Sequence, residues 1–231
     1  MALILVINTA TDEAGVCISE NGEVLFEARN NNQKEHAAWV LPEIDQLIKQ
    51  TGKSLHQLSA IAVVAGPGSY TGIRVGMASA KGLCYSLQKP LLVLNTLSVL
   101  ARAAANKENF PQVENAVPFG YVVPMIDARR MEVFTAVFAA DLQIMVEPGA
   151  SILTEHSYNT FLQEGKVLFV GSGVSKWKTF TNHENAVYVE NINMSEAAAQ
   201  LADQEFSLNN FADIAYSQPI YIKDFYNPHI K

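Results

Sequence analysis

Residues 60–94 have the sequence AIAVVAGPGSYTGIRVGMASAKGLCYSLQKPLLVL, and this stretch decides the fold class. Its two ends, residues 60–65 and 90–94, are short apolar runs that predict buried strands. Between them, a glycine-rich turn at residues 66–70 leads into a predicted helix from about Thr71 to Leu87. Strands joined by a helix of this length pair in parallel, and such crossovers are almost always right-handed. The stretch therefore predicts an α/β fold.

The residues before this stretch predict three antiparallel strands and a helix. Asn21-Gly22 is a strong signal for a tight turn between the second and third strands. From Glu35 onward the apolar residues keep helical spacing, and Gly52 stands where a C-terminal cap belongs. Pro42 interrupts this pattern, so the helix either begins near it or kinks there. The predicted strands are Leu3–Ile7, Gly15–Ser19 and Val24–Ala28.

The residues after this stretch predict a second unit of the same kind. The polar segment 106–120 contains two prolines and separates the units, so we predict an N-terminal lobe of residues 1–110 and a C-terminal lobe of residues 111–231. Because three strands, a helix, a strand and a helix occur twice, the chain is predicted to be an approximate duplication. In the second lobe the predicted strands are Tyr121–Ile126, Glu132–Ala139, Ile144–Val146 and Val167–Val170, and the helices are Glu155–Gln163, between Thr154 and Gly165 as caps, and Ser195–Phe206.

Composition excludes several classes of protein. The chain has 231 residues, of which 49% are hydrophobic and 17% charged, so disordered, collagenous and coiled-coil proteins are excluded. Sixteen Lys and Arg against 23 Asp and Glu leave a formal net charge of −7. This balance gives the chain alone no electrostatic reason to bind a nucleic acid strongly.

The two cysteines, Cys17 and Cys84, are too few and too far apart for a zinc knuckle or a CxxC pair. We therefore expect a reduced, cytoplasmic protein. The apolar N-terminus lacks the basic residues of a signal peptide and is predicted to be a buried strand. No apolar run approaches the roughly 18 residues of a membrane span, so we expect no membrane partner.

The most specific motif is the block from Gly66 to Gly76, GPGSYTGIRVG. It is one residue longer than the dinucleotide motif GxGxxG, and it contains neither a P-loop nor a nucleophile elbow. The glycines are instead interpreted as allowing a sharp turn and close packing, with Ser69 or Thr71 capping the helix. Gly72 and Gly76 each cost a helix about 0.5–1 kcal/mol relative to alanine. They therefore predict a closely packed neighbour, either the preceding helix or another subunit.

The five histidines include no pair at i, i+3 or i, i+4, so we predict no metal site of the zincin type and no catalytic residue of that class. His36, at the start of a predicted helix, is either a functional histidine or a solvated residue of the first turn. These alternatives stay open at the level of sequence.

Two turns resemble weakened phosphate-binding turns. Asn8 stands where the first turn of an actin-type ATPase has an acid, and an amide is a poorer base and Mg²⁺ ligand. In the second lobe Asp127 follows a predicted strand and could hold a hydrated cation or bind a partner. Arg129 stands where such a turn needs a small residue for close approach of the backbone to phosphate.

Five stretches of the chain, in this order and spacing, resemble the TsaB (YeaZ) family. The resemblance covers about the first 140 residues, continues more loosely through Gly171-Ser172-Gly173 and residues 218–221, and depends most on the GPGSYTGIRVG block, which the related TsaD (Kae1-like) proteins share. The stretches are ILVINTATDEAGVCIS, KEHAAWVLPEIDQLI, AIAVVAGPGSYTGIRVGMASAKGL, PLLVLNTLSVLA and MIDARRMEVFTAVF.

This resemblance implies a two-lobed actin/hexokinase/Hsp70-like (ASKHA) fold with ribonuclease H-like lobes. It implies a role in making N6-threonylcarbamoyladenosine next to the anticodon of tRNA, where TsaD transfers a group supplied as threonylcarbamoyl-AMP by a TsaC-type enzyme. The chain would be the non-catalytic companion of TsaD, joined by TsaE, and would meet tRNA only through that complex. TsaD-like proteins carry a metal-binding HxxxH after the strand that corresponds to residues 90–94, and this chain has no histidine there.

The resemblance also implies partner and ligand residues. No intrinsic cofactor is expected, although ATP or ADP could bind at the interface of the complex. Pairing in the family uses two first-lobe helices, with TsaD or with a second copy of the chain as a homodimer. The implied interface residues are His36, Trp39, Val40, Ile44, Gly72, Arg74, Val75, Gly76 and Ser79, and the weak nucleotide candidates are Thr9, Thr11, Asp127, Gly171 and Gly173.

Two other functions remain as alternatives. One is an autonomous actin-fold ATPase or small-molecule kinase, which Asn8 and Arg129 disfavour. The other is a metallopeptidase of the glycoprotease (M22) type, a label that this family has attracted and that the unpaired histidines disfavour.

Overall fold

The computed structural model describes residues 1–106 and 119–223, which form two five-stranded mixed sheets, six α-helices and two 3₁₀-helices of three residues each within these ranges. The strands of the first sheet are β1 (Leu3–Asn8), β2 (Ala14–Glu20), β3 (Glu23–Asn30), β4 (Ala60–Gly66) and β5 (Leu91–Asn95). The strands of the second are β6 (Tyr121–Asp127), β7 (Glu132–Ala139), β8 (Ile144–Ile152), β9 (Val167–Val170) and β10 (Ala186–Val189). The helices are α1 (His36–Gln50), α2 (Tyr70–Leu87), α3 (Thr96–Ala105), α4 (Asn159–Glu164), α5 (Val174–Trp177) and α6 (Ser195–Ser207).

The two sheets have the same topology. The first has the order β3-β2-β1-β4-β5 and the second has the equivalent order β8-β7-β6-β9-β10. In each, three antiparallel strands are followed by two strands that pair in parallel. The predicted duplication of an α/β unit is therefore confirmed. It includes the helices, because in each unit one α-helix follows each of the last three strands.

One hydrophobic core joins the two units. Helix α6 belongs to the second unit in sequence but packs on β1, β2 and β3 of the first sheet, whereas α3 packs on β6 of the second sheet. The two helices also pack against each other, and Leu100 of α3 and Ala198 of α6 lie in one buried cluster with Val6 and Ile126 from the two sheets. Because apolar burial is the main source of stability, this cluster is expected to make the two units fold together.

Most predicted elements lie within a residue or two of their observed bounds. The backbone geometry also tests two local predictions, the tight turn between β2 and β3 and the effect of Pro42 on α1. Asn21 and Gly22 both have positive φ, 54° and 82°, as the tight turn between β2 and β3 requires. Helix α1 continues through Pro42, so the alternative in which the helix begins near that proline is wrong.

The prediction of a helix over Glu155–Gln163 is wrong at its start. Tyr158 has a left-handed backbone, φ 62°, and α4 begins only after it. The tyrosine ring packs edge-on against Phe169 and Trp177, with ring centroids 5.5 and 5.3 Å away, so burial of the side chain offsets the unfavourable backbone.

Three further differences concern short or irregular elements. Strand β8 continues to Ile152 rather than ending at Val146, and neither β10 nor α5, each four residues long, was predicted. The predicted lobe boundary between residues 110 and 111 lies outside the described residues and stays a prediction. Within the described ranges, no helix is both long enough and apolar enough to cross a membrane.

Candidate functional site

The glycine-rich block packs onto the turn between β1 and β2, residues 9–13, which we call the first-lobe turn. The amide of Ser69 donates to the carbonyl oxygen of Ala10 at 2.7 Å, and the Thr9 hydroxyl donates to the carbonyl oxygen of Gly72 at 2.7 Å. A Cβ atom at Gly68 would lie 2.1 Å from the Ala10 oxygen, and one at Gly72 would lie 2.0 Å from the Thr9 oxygen. Glycine is therefore required at both positions for this approach.

These contacts confirm that the glycines of this block serve a turn and close packing. Ser69 is the cap, since its hydroxyl accepts from the amide of Gly72 at 3.3 Å. The predicted identity of the close neighbour was wrong for both helical glycines, because Gly72 and Gly76 face Thr9 of the first-lobe turn rather than helix α1 or another subunit. The N-terminus of α2, where an anion would otherwise be favoured, contacts the chain's own carbonyl groups.

Asn8, at the end of β1, is 8% exposed and uses both ends of its amide within the chain. Its Oδ1 accepts from the amide of Ala10 at 3.0 Å, and its Nδ2 donates to the sulfur of Met194 at 3.6 Å. Thr9 beside it is fully buried. Asn8 thus fixes the first-lobe turn and the start of α6 and presents no base to a substrate.

The equivalent turn of the second lobe, residues 127–132, is open to solvent; we call it the arginine turn. Asp127 accepts at Oδ1 from the Arg129 amide and from Nζ of Lys176, both at 2.6 Å. Arg129 and Arg130 both have left-handed backbones, with φ 66° and 49°. Such a conformation costs a residue with a Cβ about 1–2 kcal/mol. Lys176 was missed from sequence because it follows Asp127 by 49 residues.

A cleft of about 440 Å³ lies between the two lobes beside the first-lobe turn. Three carboxylates line it, those of Asp12, Glu13 and Glu190, against one guanidinium, that of Arg29. Arg29 is 3.6 Å from the Glu13 carboxylate. Glu190 is likewise paired, with its carboxylate 2.7 Å from Nζ of Lys178. Because the one guanidinium among the lining residues is already paired with Glu13, the lining offers no unpaired cation to the phosphate groups of a nucleotide. The residues present therefore do not fit a nucleotide phosphate.

The five weak nucleotide candidates are dispersed rather than gathered at this cleft. Thr11 and Gly171 line it, whereas Asp127 and Gly173 do not. Thr9 is not among the lining residues and is fully buried. The Thr11 hydroxyl donates to the backbone oxygen of Glu13 at 2.8 Å, so it too stabilises the turn.

Cys17 of β2 also lines the cleft, but burial and then the neighbouring Glu27 carboxylate raise the pKa of its thiol to about 12. A thiol with such a pKa carries almost no thiolate at neutral pH, so it is a poor nucleophile and metal ligand. Within residues 1–106 and 119–223, no group of three or more His, Cys, Asp and Glu side chains could hold a metal ion.

Helices α1 and α2 lie side by side on the outer face of the first sheet, and five of the nine implied interface residues point into the protein interior. Of the other four, Arg74 is exposed, and Trp39, Val75 and Ser79 are half-buried. The interface itself stays a prediction, with these four residues accessible to a partner. The five interior residues are His36, Val40, Ile44, Gly72 and Gly76.

The solvent-facing side of these helices contains apolar residues that the sequence analysis did not single out. Leu41 is 50% exposed and Tyr85 is 81% exposed. Gly82 lies between Ala78 and Tyr85 on the same side of α2, and a Cβ atom there would meet no atom of residues 1–106 and 119–223 within 4 Å. Helical spacing of Val75, Ala78, Gly82 and Tyr85 was the signal that could have identified this side. We call it the α1–α2 face.

The C-terminal segment returns across one edge of α2. The Arg74 guanidinium lies 3.9 Å from the ring centroid of Tyr70, and its Nε donates to the Tyr221 hydroxyl at 2.8 Å. Lys81 donates from Nζ to the carbonyl oxygens of Ala215 and Ser217. These contacts attach the residues before 223 to the first lobe.

Comparisons with known proteins agree with this architecture. The family model described as "TsaD: tRNA N6-adenosine threonylcarbamoyltransferase" matches residues 23–219. The chain is 27% identical over 230 residues to the Escherichia coli protein named "tRNA threonylcarbamoyladenosine biosynthesis protein TsaB", covering 96% of this chain and 94% of that one. It is 28% identical to the Haemophilus influenzae protein of the same name, covering 96% and 93%.

A solved structure has the same fold. YeaZ from Pseudomonas aeruginosa superposes with a TM-score of 0.80 at 21% identity, covering 96% of this chain and 100% of that chain. The expected two-lobed ASKHA fold is confirmed by this match together with the two equivalent sheets. Because the family model matches most of this chain, the chain belongs to the TsaD family. Its near full-length similarity to proteins named TsaB places it among the TsaB (YeaZ) members of that family.

Proposed function

We propose that this chain is a non-catalytic subunit required for N6-threonylcarbamoylation of the adenosine next to the anticodon of tRNA, where it pairs with TsaD and with TsaE. Near full-length similarity to proteins named for threonylcarbamoyladenosine biosynthesis supports the pathway. The observation that carries the non-catalytic role is the first-lobe turn, whose Thr9 and Ala10 carbonyl groups occupy the approach to the N-terminus of α2.

The charges of the cleft support the same role. An ATPase needs cations or backbone amides directed at phosphate, and here the guanidinium that lines the cleft is paired with Glu13 while the Ser69 amide is bonded to Ala10. Asn8 bonds within the chain and offers no carboxylate for Mg²⁺. The autonomous ATPase or kinase therefore has less support than the scaffold, and no observation favours the metallopeptidase.

The α1–α2 face is the surface that we propose for TsaD. An exposed helical glycine costs about 1 kcal/mol relative to alanine, and among the described residues no atom lies within 4 Å of the Cβ position of Gly82 to offset this cost. A glycine at such a place allows the backbone of another helix to approach closely. Exposed Leu41 and Tyr85 beside it supply the apolar contact that protein interfaces require.

The same face would pair two copies of the chain when TsaD is absent, since a two-fold axis brings identical patches together. A nucleotide, ATP or ADP, is proposed only at the interface of the complex. There Arg74 and Lys81 supply positive charge along the groove between α2 and the C-terminal segment.

Omission of this chain from a reconstituted reaction tests the role. The cognate TsaD, TsaE and TsaC-type enzyme are mixed with tRNA, threonine, bicarbonate and ATP, and the modified nucleoside is measured with and without the chain. We expect product only when the chain is present. Full product in its absence would exclude a required role.

A second experiment tests the surface. Gly82→Arg adds a long side chain to the α1–α2 face without a clash inside the chain, so the fold should persist while binding to TsaD in calorimetric titration is lost. Gln163→Arg, at an exposed position of α4 in the second lobe, is the matched control and should bind as the unmodified chain does. Equal binding by both variants would exclude this face.

A further inference from the structure

The arginine turn is the one strained feature of the described residues whose side chains have no role inside the chain. Five other non-glycine residues have positive φ, and each has a local reason. Asn21 and Asn209 are asparagines, which tolerate this conformation, and Gln88 ends helix α2. Leu142 and Tyr158 place their side chains against hydrophobic clusters.

Arg129 and Arg130 have no such reason. Both are exposed, and among the residues that the structure describes neither guanidinium has a hydrogen bond or an ion pair. A turn with two left-handed residues is most readily formed by Asn-Gly, so arginine is unfavourable at both positions. Two consecutive arginines at these strained positions indicate that their side chains bind something outside the chain.

The turn is held rigidly and carries an excess of positive charge. Lys176 bonds both ends of it, through Asp127 Oδ1 at 2.6 Å and the Glu132 carbonyl oxygen at 3.2 Å. Lys223 bonds the Glu132 carboxylate at 2.6 Å. Each carboxylate of the turn is thus neutralised by a lysine, and the two guanidinium groups contribute a surplus of two positive charges in a chain whose net charge is −7.

We infer that Arg129 and Arg130 bind phosphate groups of the tRNA backbone in the assembled complex, an inference that rests on the proposed function. A guanidinium matches phosphate geometry with two parallel hydrogen bonds. Arg129 and Arg130 are exposed to solvent, so a small anion would have only weak, exposed contacts there. A polyanion held at many other points by the complex gains from each additional cation, and its binding becomes more dependent on salt.

The test replaces both arginines by the residues that this turn prefers, Arg129→Asn with Arg130→Gly, in the complex with TsaD and TsaE. The double variant removes two charges and relaxes the backbone, so its melting temperature should equal or exceed that of the unmodified chain. We expect the dissociation constant for tRNA to rise about tenfold at low salt, and the slope of its logarithm against log salt concentration to fall by about 1–2.

Two measurements separate this inference from its alternatives. Lys34→Gln with Lys89→Gln removes the same charge from the first lobe and should leave tRNA affinity unchanged. Unchanged affinity and salt slope in the arginine double variant would overturn the inference while the proposed function stands. Weakened binding to TsaD with unchanged tRNA affinity would assign the turn to a protein contact and would also overturn it, whereas failure of the unmodified chain to bind TsaD would overturn the proposed function itself.

Discussion

The first-lobe turn and the arginine turn occupy equivalent places in two copies of one fold, yet their surroundings are opposite. The first is covered by the glycine-rich start of α2 and by Asn8, and its backbone groups are bonded within the chain. The second faces solvent, with its backbone strained and its arginine side chains unpaired among the described residues. One copy of the turn has become a packing element, and the other presents side chains outward.

The outer faces of the two lobes differ in the same way. In the second lobe the helices on this face are only six and four residues long, and Trp177 and Phe169 form a closed aromatic core with their neighbours. In the first lobe α1 and α2 are 15 and 18 residues long and leave Leu41 and Tyr85 exposed. Duplication therefore preserves the sheets, while the turns and covering helices are free to take separate functions.

The largest effect is expected where the first-lobe turn meets α2. Gly72→Ala would place a Cβ atom 2.0 Å from the Thr9 carbonyl oxygen, where the Ser69–Ala10 and Thr9–Gly72 hydrogen bonds hold the two backbones together. We expect the free energy of unfolding to fall by about 3 kcal/mol or more, measured by urea denaturation of the isolated chain.

Gly82→Ala is the matched control, since it lies in the same helix with open space around its Cβ position. It should raise the free energy of unfolding by about 0.5–1 kcal/mol, because alanine restricts the unfolded chain and suits a helix. Similar destabilisation by both substitutions would contradict the packing role assigned to the first-lobe turn.

The limits of sequence analysis follow from the range of the contacts involved. The glycine block predicts a close neighbour, but that neighbour, Thr9, is 63 residues from Gly72. A contact between residues so far apart in the chain cannot be identified from the pattern of a single sequence. The stripe formed by His36, Val40 and Ile44 has helical spacing and could have been assigned to the buried side of α1 from that spacing alone. The resemblance to a family instead assigned these residues to an interface.

Secondary structure was predictable where apolar patterns are long and regular. Strand β10 is only four half-buried residues, too short for a pattern, and its place is determined by pairing with β9. The start of α4 depends on burial of the Tyr158 ring, which overrides the helical preference of the preceding residues.

A second substitution, with a smaller expected effect, tests whether the two lobes unfold independently. Leu100 of α3 is 3% exposed and lies in the cluster shared by both sheets. Leu100→Ala should lower the free energy of unfolding by about 3 kcal/mol. Hydrogen exchange in peptides from β4 and from β9 should accelerate equally, because both sheets lose the same packed neighbour. Acceleration confined to one sheet would mean that the lobes unfold independently.

The smallest effect concerns the ionisable groups that each lobe buries. Burial raises the pKa of Cys17 in the first lobe from 9.0 to about 12, and that of Tyr158 in the second from 10.0 to about 12. In both cases the unfolded chain loses its proton at lower pH than the folded protein does, so stability is fully present below the unfolded pKa and falls as pH rises above it.

The two lobes should therefore lose stability in different pH ranges. Between pH 8 and pH 10, the Cys17 thiol should account for a loss of about 1 kcal/mol, which Cys17→Ala should remove from the urea-denaturation profile. Tyr158→Phe should change that range little and flatten the profile mainly above pH 10, where most of the unfolded tyrosine is ionised. If Cys17→Ala leaves the slope between pH 8 and pH 10 unaltered, the thiol reaches solvent in the folded protein and the cleft beside β2 is wetter than its packing indicates.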